Sequence, residues 1–379
     1  MSGPLKGVKV ADFTHARAGP HCAMMLGDMG ADVIKIERPG GEIGRLWGPT
    51  IEGERIDFMS VNRNKRSVVL DFELESDLAL AWALIGDADI VLQNLRPGVM
   101  ASFGLEAEAV RARYPSVIYC SANGYGPEGT LAMDPSYDNV IQAYSGLMSI
   151  TGTDASGPIR SGLPLADLLT GVFATVGILA ALHERQQSGL GQHVQVSLLQ
   201  SLVSLTSFHG LTYLLKGTNS GLAGNHHPIM APAGLYKAGD GQIVVQVSSD
   251  REWKRLCEVI DLPELADDDR FKTNDVRVAN RALMNELLEA QLTRRTRAEW
   301  IPLLRTARVP AGAVNTVGEA LDSDQVRAND LVVQMQHPRL GSIPVIGFPT
   351  KFDRTPCDIR RPPPDIGEHT DEIRHARKF

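Results

Sequence analysis

The chain has 379 residues, 43% hydrophobic and 22% charged, the balance of a globular protein long enough for two or three domains with buried cores. Its 36 glycines and 22 prolines fall well short of the share that marks low-complexity chains. A net charge of −7 without blocks of like charge excludes a nucleic-acid binder held by a general basic field, so any anion site has to be local. Residues 7–13 (GVKVADF) predict a short strand built on Val8, Val10 and Phe13. A small-residue turn at 16–20 leads into a helix through Cys22, Met24, Met25 and Leu26 that ends at Gly30. Residues 32–37 (DVIKIE) form the second strand, and 66–72, 89–95 and 116–121 repeat the pattern, with helical stretches at 77–85 and 106–114 between them. Strands alternating with ~10-residue helices predict βαβ units and a mostly parallel, Rossmann-like α/β sheet. Glu37 ends the second strand where a nicotinamide fold would keep its ribose-binding acid. The first turn, His15 to Pro20, holds one glycine rather than the GxGxxG that lets a pyrophosphate reach the backbone, which argues against an NAD enzyme.

Residues 167–184 give the most apolar helix, hydrophobic nearly all round and therefore expected to be buried. A second helical stripe runs over 196–215 through Leu198, Leu202, Leu205 and Phe208. Residues 216–233 lose periodicity and read as a linker. Strands near 234–237, 242–248 and 309–315, with helices near 252–260, 282–292 and 299–306, make a smaller α+β unit. The expected boundaries are a large α/β domain over 1–215, the linker 216–233, a small α+β domain over 234–325, and a segment 326–379 returning to the large domain. The uncharged run 194–215 carries Gln195, Ser197, Gln200, Ser201, Ser204, Thr206, Ser207 and His209, too many polar groups for about 30 Å of hydrocarbon. The opening residues lack the apolar stretch of a signal peptide. Cys22, Cys120, Cys257 and Cys357 are too scattered for a disulfide framework or a zinc site. A soluble cytoplasmic protein with no membrane or nucleic-acid partner is the expectation.

Asp167 opens the apolar helix. It reads either as an N-cap satisfying a free backbone N–H, or as a nucleophilic carboxylate kept ionised by the helix dipole and shielded from water. Arg38 and Arg96 follow the second and fourth strands, at the carboxyl ends where open α/β sheets bind ligands. Lys65 precedes the third strand and joins them only if its loop folds over. Together they suggest a local anion site for a phosphorylated ligand on an acidic protein. His226 and His227 are adjacent and have no partner at ligand spacing, which disfavours a metal and leaves a structural or substrate-facing loop. His15, in the first βα loop, can line a pocket but has no serine or cysteine partner for a triad.

The segments ADFTHARAGP (11–20), LGDMGADVIKIERPGG (26–41), NRNKRSVVLDF (62–72), LQNLRPGV (92–99), GYGPEG (124–129), YDNVIQAYSGLMSITG (137–152), GLPLADLLTGVFATVGILAALHER (162–185), GNHHP (224–228) and PDIGEHTDEI (364–373) resemble the family III CoA-transferases. That group includes formyl-CoA and carnitine CoA-transferases and the related α-methylacyl-CoA racemases. The resemblance runs in order over nearly the whole chain. It implies that Asp167 is the acyl-carrying nucleophile. It also implies coenzyme A contacts from Arg17, Ala18, Arg38, Asn62, Lys65, Asn94, Leu95, Arg96, Tyr137 and Asp138, and substrate contacts from His15, Asn225 and His227. The implied substrates are an acyl-CoA and a free carboxylic acid, with no permanently bound cofactor or metal and an intertwined ring-like homodimer. Formyl-CoA transferases have Gln in place of Arg17, Arg in place of Ser102, and a glycine run where this chain has GNHHP. The missing glycine run and the arginine at position 17 favour a larger acid, such as a dicarboxylate with succinyl-CoA as donor. The racemase branch is the alternative. It needs a His before its Asp as the second acid/base group, and here Tyr137 precedes Asp138; a phenol with a reference pKa of ~10 is a poor base near neutrality.

Overall fold

A computed structural model describes residues 3–377. β1 (Lys9–Asp12) is followed by α1 (Ala18–Asp28), β2 (Asp32–Glu37), a hairpin of β3 (Thr50–Ile51) and β4 (Glu54–Arg55), and α2 (Ile56–Asn62). Then come β5 (Lys65–Val69), α3 (Glu75–Asp87), β6 (Ile90–Gln93), α4 (Val99–Ser102), α5 (Ala107–Arg113), β7 (Ile118–Asn123) and α6 (Asp138–Tyr144). A second hairpin, β8 (Gly152–Thr153) with β9 (Gly157–Pro158), precedes α7 (Leu165–Ser188), β10 (His193–Ser197), α8 (Leu198–Ser204) and α9 (Ser207–Lys216). Six strands pair in the order β10-β7-β6-β1-β2-β5, all parallel. Helices cover both faces, so the strands read as apolar runs rather than alternations; Ile90, Val91 and Leu92 are all fully buried.

From β1 the chain builds outward through β2 and β5 on one side and through β6, β7 and β10 on the other. The order therefore reverses between β1 and β6, and a crevice opens beyond their carboxyl ends. α1 starts at Ala18, before the expected Cys22, because Pro20 sits in its first turn, where a missing N–H costs nothing.

Two expectations are corrected. The stripe expected as one helix over 196–215 is a strand and two helices. The alternating HVQVS of β10 pairs with β7, and the Ser197 hydroxyl then accepts from Gln200 N at 3.0 Å to start α8. α7 is not buried all round: Ala166, Thr170, Ala174, Ile178 and Ala181 face the interior, while Val172, Phe173 and Val176 are 36–57% exposed. By length and composition α7 is long and apolar enough to cross a membrane, but here its small-residue face packs on α1, β7 and β10.

By internal contacts the chain forms two compact units: residues up to Met148 with Arg160–Asn219 and Arg327 onward, and Ser149–Ile159 with Ser220–Val326. The 149–159 hairpin, which chain order assigns to 1–215, thus clusters with the second unit, as does most of the 216–233 stretch. That unit is an antiparallel sheet of β11 (Ala233–Ala238), β12 (Gly241–Gln246) and β13 (Ala311–Ala313). The helices α10 (Asp250–Val259), α11 (Asn274–Ala279), α12 (Arg281–Leu292) and α13 (Arg297–Thr306) accompany it, with a core around Trp253, Phe271, Met284 and Trp300. In the first unit, residues 332–337 and 341–346 pair as a hairpin, and helix Thr370–Arg377 lies against β5, with Arg374 bonded to Asp77 at 2.6 Å.

Candidate active site

The loop after β1 enters the crevice and is held from two sides. Asn94, just past β6, accepts from His15 N at 2.8 Å and donates to His15 O at 2.9 Å. Glu42 Oε2 accepts from Ala16 N and Gly44 N, each at 2.8 Å. That grip keeps Ala16 at a φ of +63°, a left-handed conformation that residues with a Cβ seldom adopt. Arg38 and Arg96 are exposed beside this loop. Burial lowers the His15 pKa, Glu42 opposes, and Lys35, Arg38 and Arg96 add to the lowering, so the imidazole is neutral amid cations. Leu95 packs on the core and its N–H bonds the Gln93 side chain at 2.9 Å. His15, Arg38, Asn94 and Arg96 therefore gather at one crevice mouth with the charge to receive phosphates.

Asn62 and Lys65 are not there. Both are buried, and Lys65 Nζ spends its hydrogens on Asn62 Oδ1 (2.8 Å), Pro20 O (3.0 Å) and Asp12 Oδ2 (3.1 Å). Burial lowers the Lys65 pKa to about 8, with Asp12 holding it up. These side chains brace the sheet under the site and offer no donor to a phosphate, which corrects their assignment as contacts through their side chains. Glu37 is likewise committed, bonded to Arg45 at 2.6 and 2.7 Å and to Ser67 Oγ at 2.7 Å. A ribose has no access to it.

Asp167 is the third residue of α7, half-buried. It is not the N-cap. Pro164 holds that position with no side-chain bond, and the first-turn N–H groups are taken by Asp138 from α6. Asp138 Oδ1 accepts from Ala166 N at 2.7 Å and from Asp167 N at 3.3 Å. A negative charge already occupies the helix N-terminus, so the dipole does not hold Asp167 ionised as expected. Burial first, and the Asp138 charge second, push the Asp167 carboxyl up to about 7, while Arg17 pulls it down. Asp138, 8% exposed, serves the helix rather than the solvent side; Tyr137 beside it is 64% exposed. Arg17 ion-pairs with Asp57 of α2, and Ala18 is buried in the first turn of α1. His21, one turn on, meets Leu168 O at 3.3 Å, and burial lowers its pKa.

Asn225 and His227 belong to the second unit. Asn225 lines a cavity of about 350 Å³ there with His226, Tyr236, Lys237 and Glu289. His227 does not line it; its ring accepts from Ile229 N at 3.3 Å and its carbonyl receives Arg281 at 2.8 Å. Glu42, Asp57, His21 and Gln142 were missed by sequence reasoning. Only Gln142 carried a signal, standing four residues after Asp138 on one helix face.

The model of CoA-transferase family III matches residues 5–370. Succinyl-CoA:glutarate CoA-transferase of Homo sapiens is 36% identical over 98% of this chain and 85% of its own. Succinate–glutarate CoA-transferase of Agrobacterium fabrum is 34% identical over 98% and 94%, and succinyl-CoA:mesaconate CoA-transferase of Haloarcula hispanica 34% over 98% and 96%. The crystal structure of a CAIB/BAIF family protein from Brucella suis superposes with a TM-score of 0.90 at 33% identity, covering 99% of this chain and all of that one.

Proposed function

The chain belongs to CoA-transferase family III, and from that premise we propose that it moves coenzyme A from succinyl-CoA to a second dicarboxylic acid through an acyl-enzyme on Asp167. Enzymes of this type use CoA thioesters as substrates, and the human and Haloarcula hispanica relatives are named for succinyl-CoA as donor. The observation that carries the reading is the surroundings of Asp167: a half-buried carboxyl lifted to about 7, between the Asp138 charge and Arg17. A carboxylate is a weak nucleophile, and raised basicity strengthens it while leaving a usable ionised fraction at neutral pH.

Asp167 Oδ attacks the thioester carbonyl, the C–S bond breaks, and a mixed anhydride forms beside the CoA thiolate. The thiolate attacks the aspartyl carbon, giving an aspartyl-CoA thioester and releasing the donor acid. The acceptor carboxylate then attacks that thioester, and the freed thiolate takes the acceptor's acyl carbon, which restores Asp167. Each step exchanges one acyl bond for another, so the chemistry depends on proximity and on exclusion of water. Phosphates of CoA fit the crevice mouth at Arg38 and Arg96, and Arg17 supplies a cation for the far carboxylate of a dicarboxylic acyl group. α-Proton exchange is not favoured, because Tyr137 stands where a racemase needs its histidine.

Mass spectrometry after incubation with succinyl-CoA alone tests the reading. A hydroxylamine-sensitive adduct on Asp167 is expected, and Asp167→Ala is expected to abolish both adduct and turnover. Turnover by a folded Asp167→Ala protein would sink the proposal.

A further inference from the structure

The first turn of α7 depends on a neighbour. Pro164 gives it no side-chain cap, so the free N–H groups of Ala166 and Asp167 rely on Asp138 Oδ1. What aims Asp138 is Gln142, one turn along α6 and fully buried. Gln142 Nε2 donates to Asp138 Oδ2 at 2.6 Å and to Leu163 O at 3.2 Å, and Oε1 accepts from Ser161 N at 2.9 Å. One amide thus ties the capping carboxylate to both ends of the turn that leads into α7. The work requires a neutral group that donates on one side and accepts on the other. An ionised glutamate cannot donate to Asp138, and leucine can do neither.

This inference rests on the reading of Asp167 as nucleophile. We infer that Gln142 is a positioning residue for the transfer reaction: by locking Asp138 and the 161–163 turn together, it fixes where the Asp167 carboxylate stands. Of the elements packed on α7, α6 brings the Asp138 charge and the start of α1 brings Arg17, with His21 at Leu168 O. α8 carries no ionisable group. On β7 and β10, Tyr119 bonds Leu105 O and His193 bonds Ser121, each at 2.8 Å and turned to other partners. Asp138 is therefore the negative charge that Asp167 feels. Releasing it lets the Asp167 pKa fall, so the acid limb of activity moves to lower pH.

The experiment is steady-state kinetics of the full chain with succinyl-CoA and glutarate from roughly pH 5 to 9, a range that brackets the carboxyl and imidazole titrations. Gln142→Leu is expected to lower kcat about 10- to 100-fold, as a displaced catalytic group does. KM for succinyl-CoA should stay within about threefold and the acid limb should move down in pH. Gln142→Glu, sharing a proton with Asp138, should work at the acid end and lose activity as that proton leaves, a new alkaline limb that a purely structural role does not produce. If Gln142→Leu fails to fold, Gln142→Glu carries the test alone. Wild-type kcat and limb in Gln142→Leu, or no alkaline limb in Gln142→Glu, overturns the role of Gln142 while an inactive Asp167→Asn leaves the nucleophile standing. An active Asp167→Asn overturns both.

Discussion

Arg17 and Asp138 act on one carboxyl in opposite senses, and pH dependence exposes the contest. With the Asp167 pKa raised to about 7, kcat/KM should climb through neutrality as this carboxyl ionises, if it is the attacking group as proposed, and level off above it. Arg17 favours the charged form, so in Arg17→Gln the acid limb should move to higher pH. If Arg17 also receives the distal carboxylate, the same variant should lose about 10- to 100-fold in kcat/KM for glutarate, the worth of one charge-assisted hydrogen bond, and little for butyrate. Initial rates against pH with both acceptors check this; an equal loss for both would deny Arg17 a part in recognition. Asp57, left without its partner, is still reached by water, so stability should fall by no more than ~1 kcal/mol. Asp167, Arg38 and Arg96 were legible as charges placed at helix and strand ends, and Arg17 only through the family resemblance. The committed state of Lys65 was not, because lysine is rarely buried and two of its three partners, Asp12 and Pro20, come from a distant part of the chain.

At the scale of elements, the βαβ alternation was legible because buried parallel strands concentrate Val and Ile between helices of ordinary length. The boundary errors came where a local bond outranked the hydrophobic stripe, as when Ser197 starts a new helix inside 196–215. The close seating of α1 on α7 was not legible, and it turns on one glycine. A Cβ at Gly171 would stand 2.8 Å from His21 Nδ1 and 2.9 Å from Ala18 O, the second of them backbone that cannot yield alone. Gly171→Leu should therefore wedge α1 from α7 and cost about 1–3 kcal/mol, the usual penalty of overpacking. Equilibrium urea unfolding, read as a lower midpoint, is the check. Because Asp167 and Arg17 lie one turn up these two helices, turnover should fall with stability. A variant as stable and active as wild type would mean the two helices can part freely.

At the scale of the whole molecule, α9 is an amphipathic helix that buries none of its residues within this chain. Leu211, Tyr213, Leu214 and Leu215 are 52–79% exposed on it, and the outer face of α7 adds Val172, Phe173 and Val176. A soluble monomer rarely leaves so much apolar surface to water, since each large aliphatic side chain withdrawn from solvent is worth ~1.5–3 kcal/mol. The family resemblance implies a ring-like homodimer, and a second copy of this chain is the occupant that such a face fits. Sedimentation should then give a particle of twice the chain mass. The pair Leu214→Glu and Leu215→Glu should dissociate it, because burying two carboxylates costs far more than the contact returns. Far-UV circular dichroism should stay unchanged, since neither side chain is buried within its own chain. A wild-type protein that sediments as a single chain at micromolar concentration, yet turns over, would mean that α9 meets something else.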